Sequence, residues 1–146
     1  SWVAVSEWGD NSDGLIIADH ECNEYYTAKR YNALAHFSKF VPVGSKVISN
    51  EKDVNDRVAW KIKNQMGFVI LNKTNCASFL TPDGSIVVVI VNDDAGCTFN
   101  FEGISGRDNL KIYTTNDQYD LKLTYDGEYK QEVEIPGLSI TTLIFS

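Results

Sequence analysis

Pro42-Val43-Gly44 divides this chain into two unlike parts. Proline has no amide hydrogen and pushes the residue before it out of helical geometry, so a helix arriving from the N-terminal side must stop here. Glycine two positions later permits a sharp change of direction. Upstream, residues 24–40 carry the one convincing helical pattern: Tyr31, Leu34, Ala35 and Phe37 recur at three- and four-residue spacing, with Thr27 and Ala28 a turn earlier. Asn23 fits as the N-cap, with Glu24 in the first turn. The expectation is that Tyr31, Leu34, Phe37 and Phe40 hold the two parts together by burial, so that Phe37→Ala costs on the order of 3–5 kcal/mol.

Downstream of Ser45 the pattern changes to strands. Candidates are 45–49, 58–63, 67–71, 76–80, 85–91, 97–101, 110–115, 121–125, 128–135 and 138–145. Thr81-Pro82-Asp83-Gly84 is a strong hairpin signal, and Asp126-Gly127 reads as a second. The run 85–91 is apolar on both faces, which places it centrally in its sheet. Regular spacing with turn chemistry between strands implies a mainly β fold, an antiparallel β-sandwich of about eight strands. At the other end, Trp2-Val3-Ala4-Val5-Ser6 is apolar without alternation, as in a strand buried on both faces, and needs neighbours. A second extended piece covers 14–19.

With 146 residues, 43% of them hydrophobic, the chain is long enough to bury its own core. A net charge of −7 and the lack of a basic patch exclude nucleic acid as a partner. No apolar run reaches the ~18 residues of a membrane span. The chain opens on Ser1 rather than Met and shows no signal peptide, which reads as a processed or excised chain. Cys22, Cys76 and Cys97 fit no zinc spacing; Cys76 and Cys97 pair if their loops meet, and are otherwise buried thiols. Of the two histidines, His36 lies beside the core face of the helix and reads as a structural residue. No metal set, phosphate loop, dinucleotide fingerprint or nucleophile elbow is present, so no metal and no cofactor are expected.

Acidic residues lie mostly in turns and on exposed strand faces. Glu7 and Asp10 alone follow a buried strand directly, where a barrel site opens. Asp10, Asn11 and Asp13 miss the calcium-loop spacing and read as a solvated turn. Trp8 either stacks on a sugar ring or packs under its loop. Asn72-Lys73-Thr74 is a glycosylation triplet.

Four segments in order, over nearly the whole chain, carry a resemblance. They are 36–42 (His-Phe-Ser-Lys-Phe-Val-Pro) with Gly44-Ser45, 82–89 with Val91-Asn92, Tyr113-Thr114-Thr115, and 135–143. Together they resemble the C-terminal portion of glycoside hydrolase family 30, which includes glucosylceramidases, endo-xylanases, β-1,6-glucanases and galactanases. The resemblance implies that residues 1–41 are the eighth strand and helix of a (β/α)8 barrel and that 42–146 are its side β-sandwich. It also implies that the two catalytic carboxylates lie on barrel strands upstream of Ser1. This chain then has no catalytic residue, and Glu7 and Trp8 are its substrate contacts. Ala4 and Val5 stand where the family often has aromatic residues, and the family's first sandwich strand comes from upstream, leaving an edge exposed.

The implied function is the non-catalytic part of a retaining hydrolase of β-linked glycans, extracellular or at the cell surface, with the sandwich bracing the barrel. The implied partners are the missing barrel and a β-linked glycan, with self-association through an apolar surface around Trp2, Val5, Ile17 and Tyr31. The alternative is a free-standing carbohydrate-binding or adhesion module, with a plane of aromatics drawn from Trp60, Tyr113, Tyr119, Tyr125 and Tyr129.

Overall fold

The β-branched runs of the second part build one large antiparallel sheet. The computed structural model describes residues 5–7, 14–48, 60–64, 67–71, 74–104 and 106–146; for Ser6, Glu7, 60–64 and 67–71 the description covers the backbone alone. Trp2, Val3, Ala4, Trp8, Asp10, Asn11, Asp13 and the Asn72-Lys73 pair lie outside the described residues.

The elements are β1 (Val5–Glu7), β2 (Ile16–Asp19), β3 (Glu24–Thr27), α1 (Lys29–Ser38), β4 (Lys46–Ile48), β5 (Trp60–Asn64), β6 (Gly67–Leu71), β7 (Thr74–Leu80), β8 (Ile86–Asn92), β9 (Cys97–Asn100), β10 (Asn109–Thr115), β11 (Lys122–Glu128), β12 (Glu132–Ile135) and β13 (Ser139–Phe145). Six strands form a sheet in the order β11-β10-β13-β8-β7-β4, every neighbour antiparallel. β9 and β12 pair antiparallel as a second layer, and β5 and β6 form a separate antiparallel pair.

Side chains alternate across a strand, so register assigns each residue to a face. Val88 lies opposite Leu143, which lies opposite Ile112; Ile86 lies opposite Phe145, which lies opposite Leu110. These residues, with Ile90, meet Val133 and Ile135 of the second layer in one buried cluster, against which Phe99, Phe101 and Tyr129 pack. This is the sandwich core. β8 lies third from one edge of the six, and Val87 to Ile90 are all buried, as its two-sided apolar run predicts.

Buried polar groups tie the layers at their ends. Asn92, 2% exposed, donates its side-chain amide to the carbonyls of Ala95 and Pro136 and accepts from the Thr74 hydroxyl. One side chain thus satisfies β7, the turn after β8 and the turn before β13. At the opposite end, the Thr81–Ser85 turn closes the β7–β8 hairpin through Thr81 N–H to Ser85 O and Gly84 N–H to Thr81 O. There the Thr81 hydroxyl and the Ser85 amide bind Asp83 and hold its carboxyl below the usual range.

Three sequence expectations are corrected. Asp126-Gly127 is not a turn, because β11 runs straight through it, with Lys111 opposite Asp126 and Leu110 opposite Gly127. The glycine there lies under the Tyr125 side chain rather than at a bend. A Cβ on Gly127 would lie 2.9 Å from the Tyr125 hydroxyl, whose hydrogen is donated to the Glu128 carbonyl. The chain turns instead between β11 and β12, and β12 pairs with β9.

The second correction is the helix start. Residues 24–27 are strand, paired antiparallel with Ile16–Asp19. Asn23 is the turn residue of this hairpin at φ 54°, not a cap, and Asp19 Oδ1 accepts the amides of Glu21 and Cys22. Asparagine tolerates that left-handed backbone better than most residues. The helix begins after Ala28, with no side-chain cap. β1 also finds a neighbour inside the chain, pairing parallel with β2, and Val5 is 54% exposed rather than buried on both faces. The helix ends as expected: Val41 N–H reaches Phe37 O, Ser45 N–H and Oγ–H both reach Pro42 O, and Gly44 sits at φ 93°.

Candidate functional site

The face of the sheet away from the second layer carries α1. Register places Val87, Val89, Tyr113, Thr115, Thr142 and Phe79 on this face. The helix meets it through Phe40, whose ring centroid is 4.4 Å from that of Tyr113, and Phe37, edge-on to Phe79 at 6.4 Å. Lys39 Nζ lies 5.5 Å from the Tyr113 ring centroid and 5.2 Å from that of Phe40. At the helix start Lys29 Nζ donates to Asn116 O and pairs with Asp120, each at 2.8 Å, fastening α1 to the β10–β11 loop.

His36 is the one fully buried helix residue. Its Nδ1 lies 2.7 Å from Thr142 Oγ1 and its Nε2 lies 2.9 Å from Thr115 Oγ1. Thr115 Oγ1 also accepts the Leu121 amide, and because each hydroxyl can donate or accept, either neutral tautomer of the ring pairs with both threonines. A neutral imidazole satisfies this arrangement completely. The end of a helix favours a positive charge by up to about 1 kcal/mol. Burial outweighs that here and lowers the His36 pKa from 6.5 to about 4. The reading of His36 as structural therefore holds, and the sequence could not supply its partners.

The expected joint of Tyr31, Leu34, Phe37 and Phe40 is revised. Tyr31 is 44% exposed, Leu34 42% and Phe37 37%; Phe40 is half-buried. The buried side runs through His36, with Ala33 and Phe40 half-buried, one residue or about 100° around the helix from the expected stripe. Tyr31 and Leu34 form a second apolar stripe that points away from the sheet. On β3, Tyr25 is 78% exposed.

The expected glycan contacts, Glu7 and Trp8, have side chains outside the described residues; Glu7 ends β1 opposite Ala18. The aromatics of the alternative reading are dispersed. Tyr113 lies under the helix, Tyr129 packs on Phe145 in the core and donates to Phe101 O, and Tyr125 and Tyr119 lie against Lys130 and Lys122. The Trp60 side chain is outside the description. No disulfide joins the three cysteines; Cys22 is exposed, Cys76 and Cys97 are half-buried, and burial pushes the Cys76 thiol up. Among the described residues no three His, Cys, Asp or Glu side chains cluster to hold a metal, and no helix is long and apolar enough to cross a membrane.

A six-stranded antiparallel sheet backed by a two-stranded layer, with α1 on its other face among the described residues, is the geometry of a β-sandwich domain. The profile of the "Glycosyl hydrolase family 30 beta sandwich domain" matches residues 57–143. The chain belongs to glycosyl hydrolase family 30, and that region is its β-sandwich domain.

No curated protein matches the chain. Among solved structures it is similar to the catalytic domain of GH30 xylanase C from Talaromyces cellulolyticus, at 19% identity and a TM-score of 0.68, over 99% of this chain and 30% of that one. A conserved exported protein from Bacteroides fragilis gives 20% identity and 0.68, over 97% of this chain and 28% of that one. A GH30 endoxylanase from Clostridium papyrosolvens C71 gives 20% and 0.59, over 82% and 28%. At such identity the likeness is one of fold. The chain spans less than a third of each of these structures.

Proposed function

We propose that this chain is the C-terminal, non-catalytic part of a retaining glycoside hydrolase acting on β-linked glycans. In this reading residues 42–146 brace a catalytic barrel, and residues 1–41 supply its last strand and helix. The observation that carries it is the two-sided helix. One stripe of α1 is fixed to the sandwich by His36 and Phe40, while the opposite stripe, Tyr31 and Leu34, stands exposed. A helix that is apolar on both sides belongs between two layers. The parallel β1–β2 pair suits a barrel wall, whereas the antiparallel β3 makes this segment more than a plain strand–loop–helix unit. Glu7 and Trp8, at and just beyond the end of β1, are the glycan contacts in this reading. The exported relative supports an extracellular or cell-surface setting.

The test is hydrolysis by the isolated chain of xylan, β-1,6-glucan and glucosylceramide. None is expected. Hydrolysis that disappears on replacing one acidic residue of this chain would overturn the reading.

A further inference from the structure

His36 is the only titratable side chain of α1 that is buried, and it is the polar link between the helix and two different strands. We propose that His36 is an acid-sensitive latch: protonation of its ring releases α1 from the six-stranded sheet. The inference concerns the helix–sheet contact itself and does not depend on the glycan chemistry proposed above.

The surroundings of the ring decide the sign. α1 packs on β10, β13 and β3. From β10 come the Thr115 hydroxyl, Tyr113, which stacks on Phe40, and Lys111, paired with Asp126. β13 brings Ile140, Thr142 and Ile144 on this face, none of them titratable. β3 brings Glu24, Tyr25 and Tyr26, all exposed. The β10–β11 loop carries Asp117, which is exposed, and Asp120, which is tied to Lys29. The helix adds two further cations, Lys29 and Arg30, and its C-cap a third, Lys39. Both ring nitrogens therefore end on neutral hydroxyls, and no carboxylate among the hydrogen-bond partners compensates an imidazolium.

Once the helix lifts away, the ring returns to water and takes up a proton readily. With the docked pKa near 4 and the solvated value at 6.5, the docked state binds fewer protons between those limits. Docking is thus fully stable above pH 6.5, weakens as pH falls toward 4, and loses nothing further below that.

The test is amide hydrogen exchange of the full chain from pH 7 to pH 4, corrected for the intrinsic rate. Protection of α1 amides is expected to fall by up to about tenfold per pH unit, while β8 and β13 keep theirs. In His36→Gln the pH dependence is expected to vanish. Loss of helix and sheet protection together, or a wild-type profile in His36→Gln, would overturn the proposal. If His36→Gln does not fold, NMR titration of the wild-type imidazole decides. A folded-state midpoint near 4 that coincides with helix release supports the latch, and one at or above 6.5 rejects it.

Discussion

The two faces of the six-stranded sheet are built from the same strands and solve different problems. One face is closed. Val88, Ile90, Leu110, Ile112, Leu143 and Phe145 meet Val133 and Ile135, and every one of them is buried by residues of this chain. The other face is only partly closed. Val87 and Val89 are buried, and among the described residues the helix on this face is α1, ten residues packed on β10 and β13, held by a histidine and two threonines, with Tyr31 and Leu34 exposed on its far side. The first face makes the domain fold. The second fixes a direction: buried hydrogen bonds are geometrically selective where apolar contacts are permissive. They set the orientation in which α1 is presented to whatever lies beyond it.

The comparison breaks most decisively at Phe145. It is fully buried, 5.2 Å from the Phe101 ring centroid and 6.0 Å from that of Tyr129. Phe145→Ala should destabilise the chain by about 3–5 kcal/mol in denaturant unfolding. A loss under about 1 kcal/mol would mean that the closed face is not the core. Asn92 comes next. Asn92→Ala leaves the buried Thr74 hydroxyl without its acceptor and takes the amide from the Ala95 carbonyl, while the Pro136 carbonyl keeps the Ser139 hydroxyl, for a cost of roughly 1–2 kcal/mol. The same measurement checks it, and a near-neutral result would mean that water replaces the amide.

On the partly closed face the effects are smaller and more local. Thr142→Val keeps the shape but removes the hydroxyl partner of His36 Nδ1, and should cost about 1–2 kcal/mol near pH 7. The loss should appear first in α1 amide protection, not in the sheet. Uniform weakening of both faces would show that they are one cooperative unit and would blunt the distinction drawn between them.

What the sequence made legible follows the same division. The β7–β8 hairpin and the sandwich class could be read locally, because Thr81-Pro82-Asp83-Gly84 and the apolar run after it are local signals. The Asp126-Gly127 error shows the limit of such signals. The dipeptide that usually turns a chain here makes room for the Tyr125 side chain in a straight strand. The helix start was misread because residues 24–27 are claimed by pairing with β2, a tertiary choice that helical spacing does not encode. The candidate site was the least legible part. The partners of His36 lie 106 and 79 residues away in sequence, and only the strand register brings Thr142 and Thr115 under it. A pair of adjacent threonines in each of two strands, Thr114-Thr115 and Thr141-Thr142, was the available signal. In strands otherwise apolar, one threonine of each pair must face inward.

The smallest effect is the sharpest test of the division. Leu34 is 42% exposed on the stripe of α1 that faces away from the sheet. In this chain alone Leu34→Ser removes little buried area and should change stability by no more than about 0.5 kcal/mol. In a chain that carries the proposed barrel, the same substitution puts a hydroxyl into a packed layer and leaves a cavity, for about 2–4 kcal/mol. The quantity to measure is the difference between the two contexts, by matched denaturant titrations. A difference near zero would mean that the second stripe is ordinary surface, and that the partly closed face ends at the helix rather than continuing through it.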